Sequence, residues 1–266
     1  MSQNLRIRVI SGIVIGAITI GAGLLGGIWW AGYLLGLAIR AADEMIALVR
    51  ASGYRPGRLV ALLVAASAFL AVWLRWPLAT VGAIASALML GSLAVQLRRR
   101  EGAPTADWAL TLASGGYVGW CAGHLALLRE SPNGLAWVIV AIGATWLADS
   151  AAYLVGSRFG RRKLAPDVSP KKTWEGYLGG VLAAILGGVV FGFVVPEIGP
   201  AKAIPLAMAA GALGTLGDLS ESMFKRQAHE KDSGDLIPGH GGVFDRMDSV
   251  LWTGVVVYYG SLFLGQ

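Results

Sequence analysis

The chain has 266 residues, 55% of them hydrophobic and only 14% charged, with a formal net charge of +6. Soluble domains carry about 25% charged residues, so an ordinary soluble fold is excluded, and apolar blocks of roughly 20 residues, enough to cross a bilayer, recur along the chain. One cysteine, Cys121, rules out an internal disulfide and reads as an inert buried thiol in an apolar run.

From the N-terminus, MSQNLRIRVISGIVIGAITIGAG has the positive start and apolar core of a signal peptide. The many spans that follow make it an uncleaved first helix instead. Nine transmembrane helices are predicted, near 8–25, 28–49, 59–75, 77–97, 107–128, 134–156, 174–195, 201–217 and 249–265. Gly- and Pro-containing breaks such as GYRPG at 53–57, SPNG at 131–134 and PEIGP at 196–200 separate them. The expected fold class is an all-α polytopic integral membrane protein. About five helices fill an N-terminal region over 1–133. A C-terminal catalytic region covers 134–266, with cytoplasmic loops over 157–173 and 218–248. No fixed-period repeat is evident, and no soluble domain is appended.

Charge sets the orientation. With the N-terminus in the cytoplasm, 18 of the 22 Lys and Arg residues, Arg98–Arg100 among them, fall in cytoplasmic segments. Arg75, Arg129 and Lys202 fall outside and Arg40 lies within a span, the skew that the positive-inside rule describes. A multi-pass protein of the cell (inner, cytoplasmic) membrane is expected, with its active site at the cytoplasmic face. The net charge is then a topology signal, attraction to anionic lipid is secondary, and nothing points to nucleic acid.

Two polar regions face the cytoplasm in this topology. The first is GATWLADSAAYLVGSRFGRRKLAPDVSPKKTWEG. Asp149 lies within an apolar run, where an ionised carboxylate costs several kcal/mol unless paired or hydrated, so it is a functional candidate. The alternative is a carboxylate bonded across helices for packing alone. Tyr153 follows at i+4 on the same face. Ser169 and Pro170 read as a helix start, which puts Lys171 and Lys172 in a first turn against the helix dipole. A bound phosphate would relieve that conflict; plain juxtamembrane charge accounts for the lysine pair equally well.

The second region begins at GTLGDLSESMFKR, where Asp218, Ser222 and Lys225 share a helix face at i, i+4 and i+7. KRQAHEKDSGDLIPGHGGVFDRMD then gathers four Asp, four Lys or Arg and two His, and Asp245 and Asp248 open the last span. Carboxylates from separate helices beside lysines suit a divalent cation, and oxygen ligands suit Mg²⁺, which bridges to substrate phosphates. Gly241 and Gly242 would let backbone N–H groups approach a phosphate. His240 would donate a hydrogen bond or a proton, or cap the turn. Three histidines and a distant Cys121 argue against zinc, and neither a nucleophile elbow nor a P-loop occurs. The residues alone reach a cytoplasm-facing, Mg²⁺-dependent, phosphate-handling site.

SMFKRQAHEKDSGDLIPGHGGVFDRMD, Ser222 to Asp248, resembles the signature of the phosphatidate cytidylyltransferases, or CDP-diacylglycerol synthases. Its fixed positions are met by Ser222, Lys225, Arg226, Lys231, Asp232, Gly234, Ile237, Pro238, His240, Gly241, Gly242, Asp245, Arg246 and Asp248. DSAAYLVGSRFG, SPKKTWEG and GDLSES are similar to the family as well, while the N-terminal half matches only as a run of membrane helices. The resemblance implies transfer of the cytidylyl group of CTP to phosphatidic acid from the bilayer. The products would be CDP-diacylglycerol, for phospholipid biosynthesis, and pyrophosphate.

The resemblance also implies roles. Asp218 and Asp245 would bind Mg²⁺, with Asp149, Asp232 and Asp248 as further ligands or orienting groups and room for a second cation, divalent or K⁺. Lys171, Lys172, Lys225, Arg226, Lys231 and Arg246 would hold the triphosphate and the lipid phosphate, beside substrate contacts from Ser222, Gly241 and Gly242. Lys225, Lys231 and His240 would join the two carboxylates in catalysis. Trp174 reads as an interfacial tryptophan. A homodimer is compatible with the family.

Two other readings compete. A CTP-dependent polyprenol or lipid kinase would release CDP in place of pyrophosphate. A transporter would also hold Asp149 and Asp218 at membrane depth, but no repeated halves of the transporter kind are seen. The D-G-x-x-A-R pattern of the CDP-alcohol phosphotransferases is absent.

Overall fold

A backbone surrounded by hydrocarbon must pair its own N–H and C=O groups, and an apolar block of this length does so as a helix. The computed structural model describes residues 3–98, 102–239 and 241–264. Among them are nine α-helices: α1 Gln3–Leu25, α2 Gly27–Ala51, α3 Arg58–Trp73, α4 Leu78–Gln96, α5 Pro104–Arg129, α6 Gly134–Phe159, α7 Trp174–Val194, α8 Pro200–Gln227 and α9 Phe244–Leu264. Each predicted helix has a counterpart. Five of them, α4 and α6–α9, are long and apolar enough to cross a membrane, and the protein is an all-α membrane protein.

Two local expectations are corrected. The segment read as a loop over 218–248 is helical at both ends, since α8 runs to Gln227 and α9 begins at Phe244. α8 stops in a Schellman motif: His229 takes a left-handed conformation, its N–H reaches the Arg226 carbonyl, and the Glu230 N–H reaches that of Lys225 at 2.8 Å. The second correction concerns Ser169 and Pro170, which do not start a helix. They lie in β2 (Ser169–Thr173), paired antiparallel with β1 (Lys163–Ala165), so Lys171 and Lys172 are strand residues. α7 starts at Trp174 because Thr173 caps it, accepting the Gly176 N–H at 3.2 Å. Glu175 occupies the first turn, where the helix dipole favours an acid.

Packing groups the backbone into two units: Met1–Ala126 with Phe224–Asp245, and Leu127–Met223 with Arg246–Gln266. Segment 224–245, expected with the C-terminal region, groups with the first. In that unit α5 lies against α3 through Gly115, Gly119 and Gly123, one every fourth residue. A Cβ on Gly119 would run into the Ala65 carbonyl, and one on Gly123 would come 2.9 Å from the Phe69 carbonyl oxygen. The α2–α3 turn is tied to the start of α5: the Arg55 N–H donates to Asp107 at 2.7 Å, and the Gly57 N–H to the Thr111 hydroxyl at 2.8 Å.

In the second unit α7 buries a stripe of small residues, Gly176, Gly180, Ala184, Gly188 and Gly192. A Cβ on Gly176 or Gly180 would stand 2.7 Å from a backbone oxygen of α6, that of Ala152 or Ala148. Leu178, Leu182, Leu186 and Val190 on the same helix are exposed. Soluble helices do the reverse. In a bilayer, close backbone approach rather than water exclusion holds helices together, so small residues face protein and large ones face lipid. Gly214 and Gly217 continue this logic on α8, where Cβ atoms would meet Thr253 at 3.1 Å and Ser249 at 2.9 Å on α9.

Gly180→Val is expected to lower the unfolding temperature in detergent, since overpacking costs about 1–3 kcal/mol or more. Gly82→Ala, where nothing lies within 4 Å, is expected to raise it slightly, because alanine suits a helix better by about 1 kcal/mol. Thermal unfolding of both variants checks the contrast.

Candidate active site

Charged side chains gather in two clusters, one in each unit. The cluster of the second unit centres on Asp218 of α8. Its Oδ2 accepts the Lys172 ammonium of β2 at 2.8 Å, and its Oδ1 accepts the hydroxyl of Ser222, one helical turn on, at 3.3 Å. The two charged side chains are 24% and 32% exposed, Lys172 the lesser, so this pair is open to an incoming ligand. Asp149 of α6 lies in electrostatic range of Asp218, Lys172 and Arg246. Gly217, immediately before Asp218, lets α8 lie close to the backbone of Asp248 and Ser249. Asp248 accepts the Ser249 N–H at 2.6 Å. This cluster therefore unites Asp149, Lys172, Asp218, Ser222 and Arg246.

The cluster of the first unit centres on Asp245, in the first turn of α9. Its Oδ1 accepts the Lys225 ammonium at 2.6 Å. Its Oδ2 accepts the Ser233 N–H and hydroxyl, each at 2.7 Å, and the Gly242 N–H at 2.9 Å. The Asp245 and Lys225 side chains are only 5% and 11% exposed, so this ion pair is buried and its attraction must offset desolvation through these added bonds. Beside it stands Glu44 of α2, 2% exposed. Glu44 Oε2 accepts the Phe244 N–H at 2.8 Å and the Ser233 hydroxyl at 3.2 Å. Its Oε1 lies 3.1 Å from Arg40 Nε, an ion pair not aligned as a hydrogen bond. Arg40 also pairs with Asp43 at 3.1 Å, and Arg58 of α3 reaches Asp43 at 2.9 Å.

The glycines of the loop have a structural reason of their own. Gly239 and Gly241 have φ of 78° and 82°, and the Ile237 N–H closes the turn on the Gly241 carbonyl at 3.0 Å. A Cβ on Gly242 would overlap Glu44 Oε2 and Ser233 Oγ, and its N–H is already given to Asp245. Bareness at Gly242 is thus explained by the packed carboxylates, without a phosphate.

Lys171, Arg226, Lys231, Asp232 and Arg246 are exposed; the Arg226 guanidinium donates to the Glu230 carbonyl at 3.1 Å. His240 lies outside the described residues, as do Arg99 and Arg100. Among the described residues no three His, Cys, Asp or Glu side chains form a ready metal cage. Mg²⁺ needs none, because it binds through one or two carboxylates, waters and substrate phosphates. The hard oxygens of Asp218, with Asp149 in range and cations opposite, fit such an ion.

Sequence reasoning missed Glu44. The signal was present: an acidic pair in the apolar helix AIRAADEMIALV, four residues after Arg40, as conspicuous as Asp149 in its own span.

Fold and side chains define a polytopic helical membrane protein in which two aspartates, Asp218 and Asp245, are each paired with a lysine. The model of the "Cytidylyltransferase family" matches residues 6–263. A phosphatidate cytidylyltransferase of Brucella suis biovar 1 (strain 1330) is 33% identical over 265 residues, covering 98% of this chain and 95% of its own. One of Mycobacterium bovis (strain ATCC BAA-935 / AF2122/97) is 30% identical over 275 residues, 96% of this chain and 88% of its own. One of Bacillus subtilis (strain 168) is 38% identical over 148 residues, 54% of each chain. The chain belongs to the cytidylyltransferase family.

Lys225→Met removes the lysine paired with buried Asp245 and is expected to cost about 3 kcal/mol of stability. Lys225→Met combined with Asp245→Asn is expected to recover part of that loss, because the buried charge goes too. Thermal unfolding of the single and double variants measures both.

Proposed function

We propose that this protein transfers the cytidylyl group of CTP to phosphatidic acid, giving CDP-diacylglycerol and pyrophosphate. The observation that carries this reading is the pairing of a lysine with an aspartate in each cluster: Lys172 with Asp218, from the SPKKTWEG and GDLSES stretches, and Lys225 with Asp245, both within the Ser222–Asp248 signature. A phosphate oxygen of the lipid bonds to the α-phosphorus of CTP, the bond from that phosphorus to the β-phosphate oxygen breaks, and pyrophosphate leaves with the electron pair. Such transfers depend on positioning and on neutralising charge more than on covalent help from the protein.

Each residue has a task in that scheme. Lys172 and Lys225 serve phosphate oxygens as readily as carboxylates, since an ammonium carries three donors. Exposed Lys171, Arg226, Lys231 and Arg246 hold the polyanionic substrates. Asp218 and Asp245 are the proposed oxygen ligands of Mg²⁺, and Asp149, Asp232 and Asp248 orient groups around them. An Mg²⁺ ion held by these carboxylates would supply positive charge to phosphate oxygens and to the leaving pyrophosphate. His240 and Ser222 complete the proposed substrate contacts. The nine helices are proposed as nine spans of the cytoplasmic membrane, N-terminus inside, a topology supported by the Lys and Arg skew.

CTP labelled at the α-phosphate, with phosphatidate and Mg²⁺, is expected to yield labelled lipid and pyrophosphate from the purified protein in detergent. Lipid labelled from the γ-phosphate would mark a kinase and overturn the reading. Asp218→Asn is expected to lower kcat on the order of 100-fold with little change in unfolding temperature. For the topology, Asp167→Cys and Glu197→Cys are each placed in a Cys121→Ser background. An impermeant thiol reagent added outside whole cells is expected to label position 197 and spare position 167.

A further inference from the structure

We propose that Glu44 is a positioning residue for cytidylyl transfer, setting the place of Asp245 and Lys225 through the first turn of α9 and the Ser233 hydroxyl. The inference rests on the roles proposed above for Asp245 and Lys225. Glu44 belongs to α2, 200 positions before the residue whose N–H it accepts, and lies outside the signature motif.

Three features place it in command of the pair. First, Glu44 takes the Phe244 N–H at 2.8 Å, one of the donors that a helix start leaves unpaired and where the dipole favours a negative charge. Asp245 is the next residue, so fixing Phe244 fixes the root of the Asp245 side chain. Second, the Ser233 hydroxyl lies 3.2 Å from Glu44 Oε2 and 2.7 Å from Asp245 Oδ2. A hydroxyl has one proton, so both carboxylates draw on the same donor and the place of one constrains the other. Third, the surroundings leave Glu44 no slack. A Cβ on Gly234 would stand 2.9 Å from Oε1, and one on Gly242 would overlap Oε2.

Arg40 balances the buried charge at 3.1 Å, and Asp43 keeps Arg40 paired when Glu44 is removed. Of the basic residues of the first unit proposed to bind the substrates, Lys225 is placed through Glu44, whereas exposed Lys231 and Arg226 have no bond to it among the described residues. Loss of Glu44 should therefore weaken the chemical step more than it weakens substrate affinity.

The test compares Glu44→Ala with Glu44→Gln in the full-length protein in detergent. Glutamine keeps an oxygen for Phe244 and Ser233 while losing the charge. Glu44→Ala is expected to lower kcat on the order of 100-fold, as misplacement by about 1 Å can, with KM for CTP and phosphatidate within about threefold. Its amides over 242–245 should exchange with deuterium on the order of tenfold faster. Glu44→Gln should recover both the protection and a kcat within about fivefold of the wild type.

Wild-type kcat or unchanged exchange in Glu44→Ala would overturn the proposal. So would losses in both variants that simply follow a lowered unfolding temperature. If Glu44→Ala does not fold, Ser233→Ala removes the shared hydroxyl and leaves the Glu44–Phe244 bond. There a kcat about tenfold lower at wild-type unfolding temperature supports the proposal, and an unchanged kcat overturns it. A wild-type protein that makes no CDP-diacylglycerol would sink the proposed reaction, while the exchange measurement would still decide what Glu44 holds.

Discussion

A carboxylate in a chain this apolar has to be met by donors, and the backbone has spare donors only where a helix begins or a loop turns. That constraint organises the polar part of the molecule. Asp107 takes the Arg55 N–H from the α2–α3 turn. Glu175 takes the Arg161 and Arg162 N–H groups ahead of the hairpin. Glu44 takes the Phe244 N–H, and Asp245 those of Ser233 and Gly242. Each acid pins a connection that would otherwise be free to move. Lys172 and Asp245, both proposed to serve the chemistry, sit on or next to connections so pinned.

Close helix packing supplies the other half of the precision. Gly217 brings α8 within contact of α9 one residue before Asp218, and Gly176 lies against Ala152 three residues after the capping Thr173. A bilayer gives helices no water-exclusion force to correct a loose fit. Tight backbone contact next to a charged side chain therefore limits how far that side chain can wander. Lys172 depends on this twice, through the hairpin that carries it and through the cap that ends the hairpin.

Helix positions were legible because hydrophobic length is a strong and local signal, and the nine predicted stretches each hold a helix. What escaped was settled by partners rather than by pattern. Ser169 and Pro170 look like a helix start, yet Thr173 and Glu175 offer a better one, and the lysines between belong to a strand. α8 and α9 extend past the apolar core because their polar turns are paired: Lys225 with Asp245, the Phe244 N–H with Glu44. At the candidate site, the convergence of Lys172, Asp218 and Ser222 was half visible, since Asp218 and Ser222 share a helix face. The partnership of Glu44 with Ser233 was not visible, because nothing in local spacing links residues so far apart.

The stripe along α7 has a consequence for how this protein tolerates change. Its outward leucines face lipid, which accepts almost any apolar shape, whereas each inward glycine lies against the backbone of a neighbouring segment, which leaves no room for a side chain. Relatives are therefore free to drift at the bulky positions and bound at the smallest ones. Bulk, the usual mark of a protein's core, here marks its outer wall.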